Sequence, residues 1–215
     1  MARSQSRDTP TLFSYVVDHD RGLAPNPEDG FCTLVHCKYQ GNSKKRNIVE
    51  LAKVGDWVLG TGGSSPESAG PGNIIYLMRV DETPTFKEFR ADSRFVGRRD
   101  RKPPDEPTRK ALVSKHFYYF GEKAISKLEL PKTLLKDLIK TGRSFRSKYP
   151  PEKLGKLLEW FKENKKRGKH GQPCSLQQEE MQGKKVKSSS CSRTKKSARP
   201  ECRSFPSMRA NPKKC

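Results

Sequence analysis

Large apolar side chains run through this chain as far as Phe161 and then all but stop. From Lys162 to Cys215 there are 16 Lys or Arg against 4 Asp or Glu, and Phe205 is the only Phe, Tyr or Trp. Such a stretch cannot bury enough apolar surface to offset the conformational entropy lost on ordering it. The expectation is a flexible start over 1–10, one domain over 11–161 and a disordered basic tail over 162–215. The first 161 residues keep 29 basic and 20 acidic residues together with both Trp and all six Tyr. A core can therefore form there.

The formal charge of +21 raises the local concentration of phosphate-bearing partners and makes their binding salt-dependent, without conferring specificity. The tail is thus expected to bind polyanions non-specifically. Its Lys184–Lys187 and Arg193–Lys196 runs suit a nuclear address or a nucleic-acid arm equally well. No apolar run is long enough to cross a bilayer, and the start, MARSQSRDTP, lacks the apolar core of a signal peptide. The expected location is cytoplasmic, or nuclear in a eukaryote, with no membrane partner. Six cysteines are present without a CxxC pair, so free thiols are expected. Cys32, His36 and Cys37 lack a second ligand pair at metal-site spacing, and neither a metal nor another cofactor is expected.

Within the domain, Thr11–Asp18, Phe31–Lys38, Trp57–Thr61, Asn73–Asp81 and Ala111–Gly121 are rich in β-branched and aromatic residues and read as five strands. Lys44–Ala52 reads as a short basic helix. Thr85 and Glu88 have capping-box spacing before Phe86 and Phe89, which predicts another. Pro131 opens a helix carrying Leu134, Leu135, Leu138 and Ile139. Pro151 opens the last, in which Leu154, Leu157, Leu158 and Phe161 form an apolar stripe. Arg94–Lys110, full of Arg, Lys, Pro and Asp, reads as an exposed basic loop. Strands joined by turns, with helices gathered at the end and no βαβ alternation, predict an α+β fold built on a mainly antiparallel sheet or small barrel.

Several groups could carry chemistry. The Asp18–Asn26 loop offers Asp18, His19 and Asn26 on a backbone stiffened by Pro25 and turned by Gly22, although turn capping uses the same residue types. Asp18 and His19 are the candidates for general acid or base. Gly60, Thr61 and Gly62 leave backbone amides open to a base or phosphate, and a plain hairpin loop reads the same way. Trp57, Tyr76 and the Phe117–Phe120 run, Tyr118 included, supply rings for stacking on a base. In strict alternation Phe117 and Tyr119 share one face while Tyr118 and Phe120 share the other, so at least one set is core. Ser114 and His116 with Asp18 or Asp56 have no spacing that supports a catalytic triad. Arg143 and Arg146 flank Phe145 and suit a phosphate, and Arg98, Arg99, Arg101 and Lys102 form a second basic cluster.

Val54–Gly62 followed by Ile74–Val80 resembles the core hairpin of the PUA-like superfamily, which includes EVE and ASCH domains: a Gly-Asp turn before a strand, then a second apolar strand. That resemblance implies a small barrel with an aromatic-lined pocket for a base. Tyr15, the Asp18–Asn26 loop, Cys32-Thr-Leu, Cys37-Lys38, the Gly55-Asp-Trp turn with Gly60-Thr-Gly62, and Phe117–Gly121 occur in order and resemble the nucleotide modification associated domain of the second type, over about Phe13 to Phe161. The family resemblance implies handling of nucleotides or modified bases. Tyr15, Asn26, Trp57, Gly60, Thr61, Gly62 and Tyr118 are then the expected base-binding residues, and Arg143 and Arg146 the phosphate-binding ones. Three functions stay open: a nucleotide or nucleic-acid binding module, an enzyme using Asp18 or His19, and an interaction protein whose charge serves solubility.

Overall fold

The computed structural model describes residues 9–35, 47–101, 110–138, 140 and 144–175. Its main sheet contains β1 (Leu12–Val17), β3 (Trp57–Gly62), β4 (Ile74–Arg79), β6 (Phe117–Tyr119), β7 (Phe145–Arg146) and β8 (Gly168–Lys169), in the order β7-β1-β3-β4-β6-β8. The β3–β4, β4–β6 and β1–β7 pairs are antiparallel, whereas β1 runs parallel to β3 and β6 parallel to β8. The sheet is mixed but mostly antiparallel, as the strand pattern predicts. Its hydrogen bonds do not join β7 to β8, so among the described residues the sheet is open. A second sheet pairs β2 (Cys32–Leu34) with β5 (Leu112–Ser114).

Alternation along the central strands sends side chains to two cores. Phe13, Tyr15, Val17, Tyr76, Met78, Phe117 and Tyr119 pack on one face, under Cys32 and Leu34 of β2, Leu112 of β5 and Ile48 and Val49 of α1 (Ile48–Leu51). Leu12, Leu59, Leu77, Tyr118 and Phe120 pack on the other, beneath α3 (Lys132–Leu138) and α4 (Pro151–Asn164). The expected split of the Phe117–Phe120 run between two faces is present, and both faces are core. The α4 stripe also behaves as its spacing predicts, with Leu154, Leu157 and Phe161 buried.

A third, smaller core holds Val35, Phe89, Phe95, Ala111 and Val113, with Phe31 and Phe86 against it. It supports α2 (Phe86–Ala91), which begins with both capping-box hydrogen bonds between Thr85 and Glu88. Phe86 and Phe89 stack at 6.3 Å, as their three-residue spacing requires.

Three expectations need correction. Ala111–Gly121 is not one strand: the chain bends at Lys115 and His116, whose backbone N–H groups donate to Asp81 Oδ2 at 2.7 and 3.1 Å. β5 and β6 therefore belong to different sheets. Arg94–Lys110 is not simply an exposed loop. Its described part makes two 3-10 turns, Ser93–Phe95 and Arg99–Arg101, and buries Phe95, Arg98 and Asp100. Finally, packed structure continues past Phe161, through the end of α4 and β8 to the buried Ser175. The rest of the tail, with the expectation of disorder and its two basic runs, lies outside the described residues, as does Lys44–Arg46 of the basic helix.

Candidate functional site

Arg98 is the centre of the polar network beside the third core. Its guanidinium donates to Glu28 O at 2.7 Å, Asn26 O at 2.8 Å, Thr33 Oγ1 at 2.8 Å and Asp100 Oδ1 at 3.4 Å. Thr33 Oγ1 in turn donates to Asp100 Oδ2, and the Arg98 guanidinium lies 5.5 Å from the Phe95 ring centroid. Asp100 is fully buried, so its charge is matched by the planar fork of Arg98 rather than by water. The network ties the 26–28 loop, β2 and the 3-10 turn at 99–101 into one unit.

Asn26 is held at its backbone by that unit. Its N–H donates to Thr33 O at 2.9 Å, and its carbonyl accepts from Thr33 N at 3.0 Å as well as from Arg98. The preceding Ala24–Pro25 peptide bond is cis. Asn26 is only 2% exposed, yet its side-chain Oδ1 has no hydrogen-bond partner among the described residues. Buried polar atoms are normally paired, and leaving one unpaired costs about 1–3 kcal/mol. Glu122 Oε2 is also unpaired among the described residues, but Asn26 lines a cavity and Glu122 lines neither that one nor its neighbour.

That cavity, of about 400 Å³, is lined by Arg21, Gly22, Asn26, Glu28, Asp29, Val96, Gly97, Arg98, Arg99 and Pro173. Val96 is 68% exposed, a large aliphatic side chain presented at a concavity. Arg21 is anchored by Glu67 through bonds of 2.9 and 3.2 Å, which hold the Glu67 carboxyl below the usual range. The Arg99 side chain makes no hydrogen bond or ion pair among the described residues. A second cavity, of about 610 Å³, adjoins it through the shared Gly97 and Arg98 and is lined further by Phe86, Lys87, Arg90, Ala91 and Arg101.

Behind the first cavity, Asp20 is buried and fastens the chain that follows β8. Its carboxylate accepts from Tyr119 Oη at 2.8 and 2.7 Å and from Cys174 N at 3.3 Å. Its backbone carbonyl accepts from Ser175 N at 3.1 Å and Ser175 Oγ at 2.8 Å. Pro173, just before these anchors, packs on Gly22 and becomes a wall of the cavity. Burial raises the Asp20 carboxyl above its ordinary range despite the bonds from Tyr119 and Cys174. Burial likewise pushes the Cys174 thiol up to about 12, and that of Cys32 higher still, so neither is a ready thiolate.

The other residues singled out by the sequence lie elsewhere. Tyr15 is in the first core, where it accepts from Tyr76 Oη at 2.9 Å. Thr61 Oγ1 donates to Tyr15 O at 3.3 Å. Gly60 and Gly62 are inside β3 rather than in a loop: a Cβ at Gly60 would sit 2.1 Å from Tyr76 Cε1, and one at Gly62 would sit 2.0 Å from the Gly70 carbonyl oxygen. Trp57 packs half-buried on the α3–α4 core, which also contains Tyr118. None of these residues lines either cavity. Asp56, in the Gly-Asp turn, receives Thr11 N at 2.8 Å and Lys53 N at 2.9 Å and so pins the start of β1.

Asp18 and His19 also line neither cavity. His19 is exposed and its Nδ1 lies 3.2 Å from Glu67 Oε2. His116 pairs with Asp81 at 3.0 Å. Arg146 lies on β7, with its guanidinium 4.8 Å from the Tyr149 ring centroid. Arg143, His36 and Cys37 are outside the described residues. Among the described residues no group of three or more His, Cys, Asp or Glu side chains could hold a metal ion, and no helix is long and apolar enough to cross a membrane.

The family model for nucleotide modification associated domain 2 matches residues 9–109 and 100–180. The chain belongs to that family. The match takes in the loop that carries Asn26, the Arg98 turn and the Pro173 wall, so both cavities lie within the nucleotide modification associated domain. It also extends beyond Phe161, in step with the packed segment that reaches Ser175. Neither a curated protein nor a solved structure matches the chain.

Of the cavity residues, Asn26 and Gly22 were visible as members of a polar, proline-stiffened loop, and Arg98, Arg99 and Arg101 as a basic cluster. Val96 and Pro173 carried no signal, because an isolated Val or Pro reads as filler until the fold brings it to a concavity.

Proposed function

We propose that this protein is a nucleotide-binding module that holds a base in the cavity beside Asn26. The observation that carries the reading is the unpaired, buried Oδ1 of Asn26 in a residue whose backbone is already fully bonded. A base that brings a donor, such as an exocyclic amino group or a ring N–H, supplies the missing hydrogen bond. Val96 and Pro173 offer apolar surface to its face, while Arg99 brings positive charge for a phosphate. The volume, about 400 Å³, is of the size that takes a small ligand. Membership in a family named for nucleotide modification supports the same ligand class. Within the set expected from sequence the proposal rests on Asn26, and it treats Tyr15, Gly60, Thr61 and Gly62 as packing residues of β1 and β3.

Calorimetric titration of the full chain with the common and base-modified nucleoside monophosphates tests this. At least one nucleotide is expected to bind, and Asn26→Ala to weaken it about tenfold, the effect of one hydrogen bond worth about 1.4 kcal/mol. Binding unchanged by Asn26→Ala, or no binding by any nucleotide, sinks the reading. Turnover of a bound nucleotide, followed by mass spectrometry, would move the protein from binding module to enzyme.

A further inference from the structure

We infer that the second cavity is the track for the sugar-phosphate backbone of a single-stranded polynucleotide, one base of which enters the Asn26 cavity. The inference rests on the base-binding reading above and adds the class of its partner. Gly97 and Arg98 line both cavities, so the two form one continuous depression. Its second half is bordered by Lys87, Arg90 and Arg101, and among the described residues no carboxylate lines it. Described acids on the same segment are engaged: Asp92 and Glu82 both accept from Arg94, at 2.7 Å each, and Glu88 caps α2 through Thr85. Lys87 and Arg90 are thus left without a carboxylate partner among the described residues, while Arg101 donates to the Arg90 carbonyl oxygen and feels the charge of Asp92. Arg98, by contrast, is consumed internally and acts as the wall between the halves.

Single phosphates need one or two cations, whereas a row of them along a groove fits a chain of phosphates. The half-buried ring of Phe86 borders the same groove, with Arg90 stationed 6.0 Å from its centroid, a surface on which an adjacent base stacks. A strand rather than a duplex follows from the base cavity, since a base inside a duplex has its hydrogen-bonding edge occupied and its faces stacked. An acidic peptide would supply charge but no planar face for Phe86 and no base for Asn26.

The test is fluorescence anisotropy on the full chain with labelled single-stranded DNA and RNA oligonucleotides, beside calorimetry with mononucleotides, using Lys87→Ala/Arg90→Ala and Asn26→Ala. Both residues of the double variant are exposed on α2, and the tail contributes the same background to every variant. The expected result is oligonucleotide binding at least tenfold tighter than mononucleotide binding, weakened about tenfold by Lys87→Ala/Arg90→Ala. The slope of log K against log salt should fall by about 1.4, as removal of two phosphate contacts on a single strand predicts. Mononucleotide affinity should be untouched by that double variant. Oligonucleotide affinity and salt slope unchanged in Lys87→Ala/Arg90→Ala overturn the groove, and so does displacement of the oligonucleotide by polyglutamate at equal charge. If Asn26→Ala alters neither ligand while Lys87→Ala/Arg90→Ala still weakens the oligonucleotide, the groove stands and the base cavity falls.

Discussion

Tyr119, on β6 of the main sheet, places its hydroxyl 2.8 and 2.7 Å from the two carboxylate oxygens of Asp20, in the loop that follows β1. Both residues are buried, and the same carboxylate receives Cys174 from the segment after β8. One acid thus joins the sheet, the cavity loop and the chain that walls the cavity. Burial disfavours its charged form, and the hydrogen bonds only partly oppose that.

Replacing Tyr119 with Phe removes the strongest of these opposing bonds. We expect a loss of about 1.5–3 kcal/mol, the range for a hydrogen bond to a charged group, seen as a melting midpoint lower by about 4–10 °C. The sign of its pH dependence follows from the raised carboxyl. Protonated Asp20 stabilises the fold at low pH, and that contribution is lost as pH rises through the raised folded value. Without Tyr119 the buried anion is less compensated, so the deficit of the variant widens with rising pH and narrows toward acid. Urea denaturation at several pH values reads this, and a pH-independent deficit would show that Tyr119 acts through packing alone.

Arg98 is the second buried charge on which the cavity depends. Arg98→Ala leaves fully buried Asp100 without its partner, which costs about 3–5 kcal/mol. Arg98→Lys keeps the charge but not the planar fork that spans Asn26, Glu28, Thr33 and Asp100, so it should recover only part of the loss. Equilibrium unfolding of the two variants and of Arg98→Ala/Asp100→Ala checks the account: removing both charges should be less damaging than removing Arg98 alone.

Gly60 and Gly62 distinguish packing from ligand contact. A methyl at Gly60 meets the Tyr76 ring and, at 2.9 Å, Val17 Cγ2; one at Gly62 meets backbone that cannot swing away. Gly60→Ala should cost about 1–3 kcal/mol by overpacking, and Gly62→Ala at least as much. Nucleotide affinity of the fraction that remains folded should be unchanged, by calorimetry below the melting transition. Selective loss of binding with normal stability would return the glycines to the binding site.

These outcomes bear on what the sequence could disclose. Local rules were legible wherever one residue type dictates the geometry: Thr85 with Glu88 starts α2, Pro151 starts α4, and the leucine stripe of α4 chooses its buried face. The α+β class and the assignment of the Phe117–Phe120 rings to two faces followed from period alone. What stayed hidden depends on partners distant in sequence. The break between β5 and β6 is made by Asp81, more than thirty residues away, and not by a Gly or Pro at Lys115. Parallel pairing of β1 with β3 leaves no mark in either strand. Arg98 looked like one more solvated cation in a basic run, because burial of an Arg is decided by Asp100, Thr33 and two loop carbonyls that only the fold assembles. Of the candidate site, the loop was readable and its opposite wall was not.

The segment beyond Phe161 provides the last prediction, because composition and structure assign it differently. Charge and the lack of large apolar residues place 162–215 in a tail, yet the His170 ring stacks on Phe120 at 5.1 Å, and the His170 backbone N–H donates to Tyr119 O at 2.8 Å. Gln172 O accepts from Glu122 N at 2.9 Å, and Ser175 binds the Asp20 carbonyl twice. A chain cut after Phe161 loses all of these contacts, uncovers Asp20 and Tyr119, and removes Pro173 from the cavity. A chain cut after Ser175 loses none of them. At about 0.5–1.5 kcal/mol for each hydrogen bond, the first truncation should be destabilised by several kcal/mol relative to the second and should lose nucleotide binding. The second should melt within a few degrees of the full chain and keep its mononucleotide affinity, while binding polyanions less tightly as the tail charge is removed. Equal melting midpoints for the two truncations would mean that the 162–175 segment adds nothing to the domain, and that Pro173 is not a wall on which a ligand can depend.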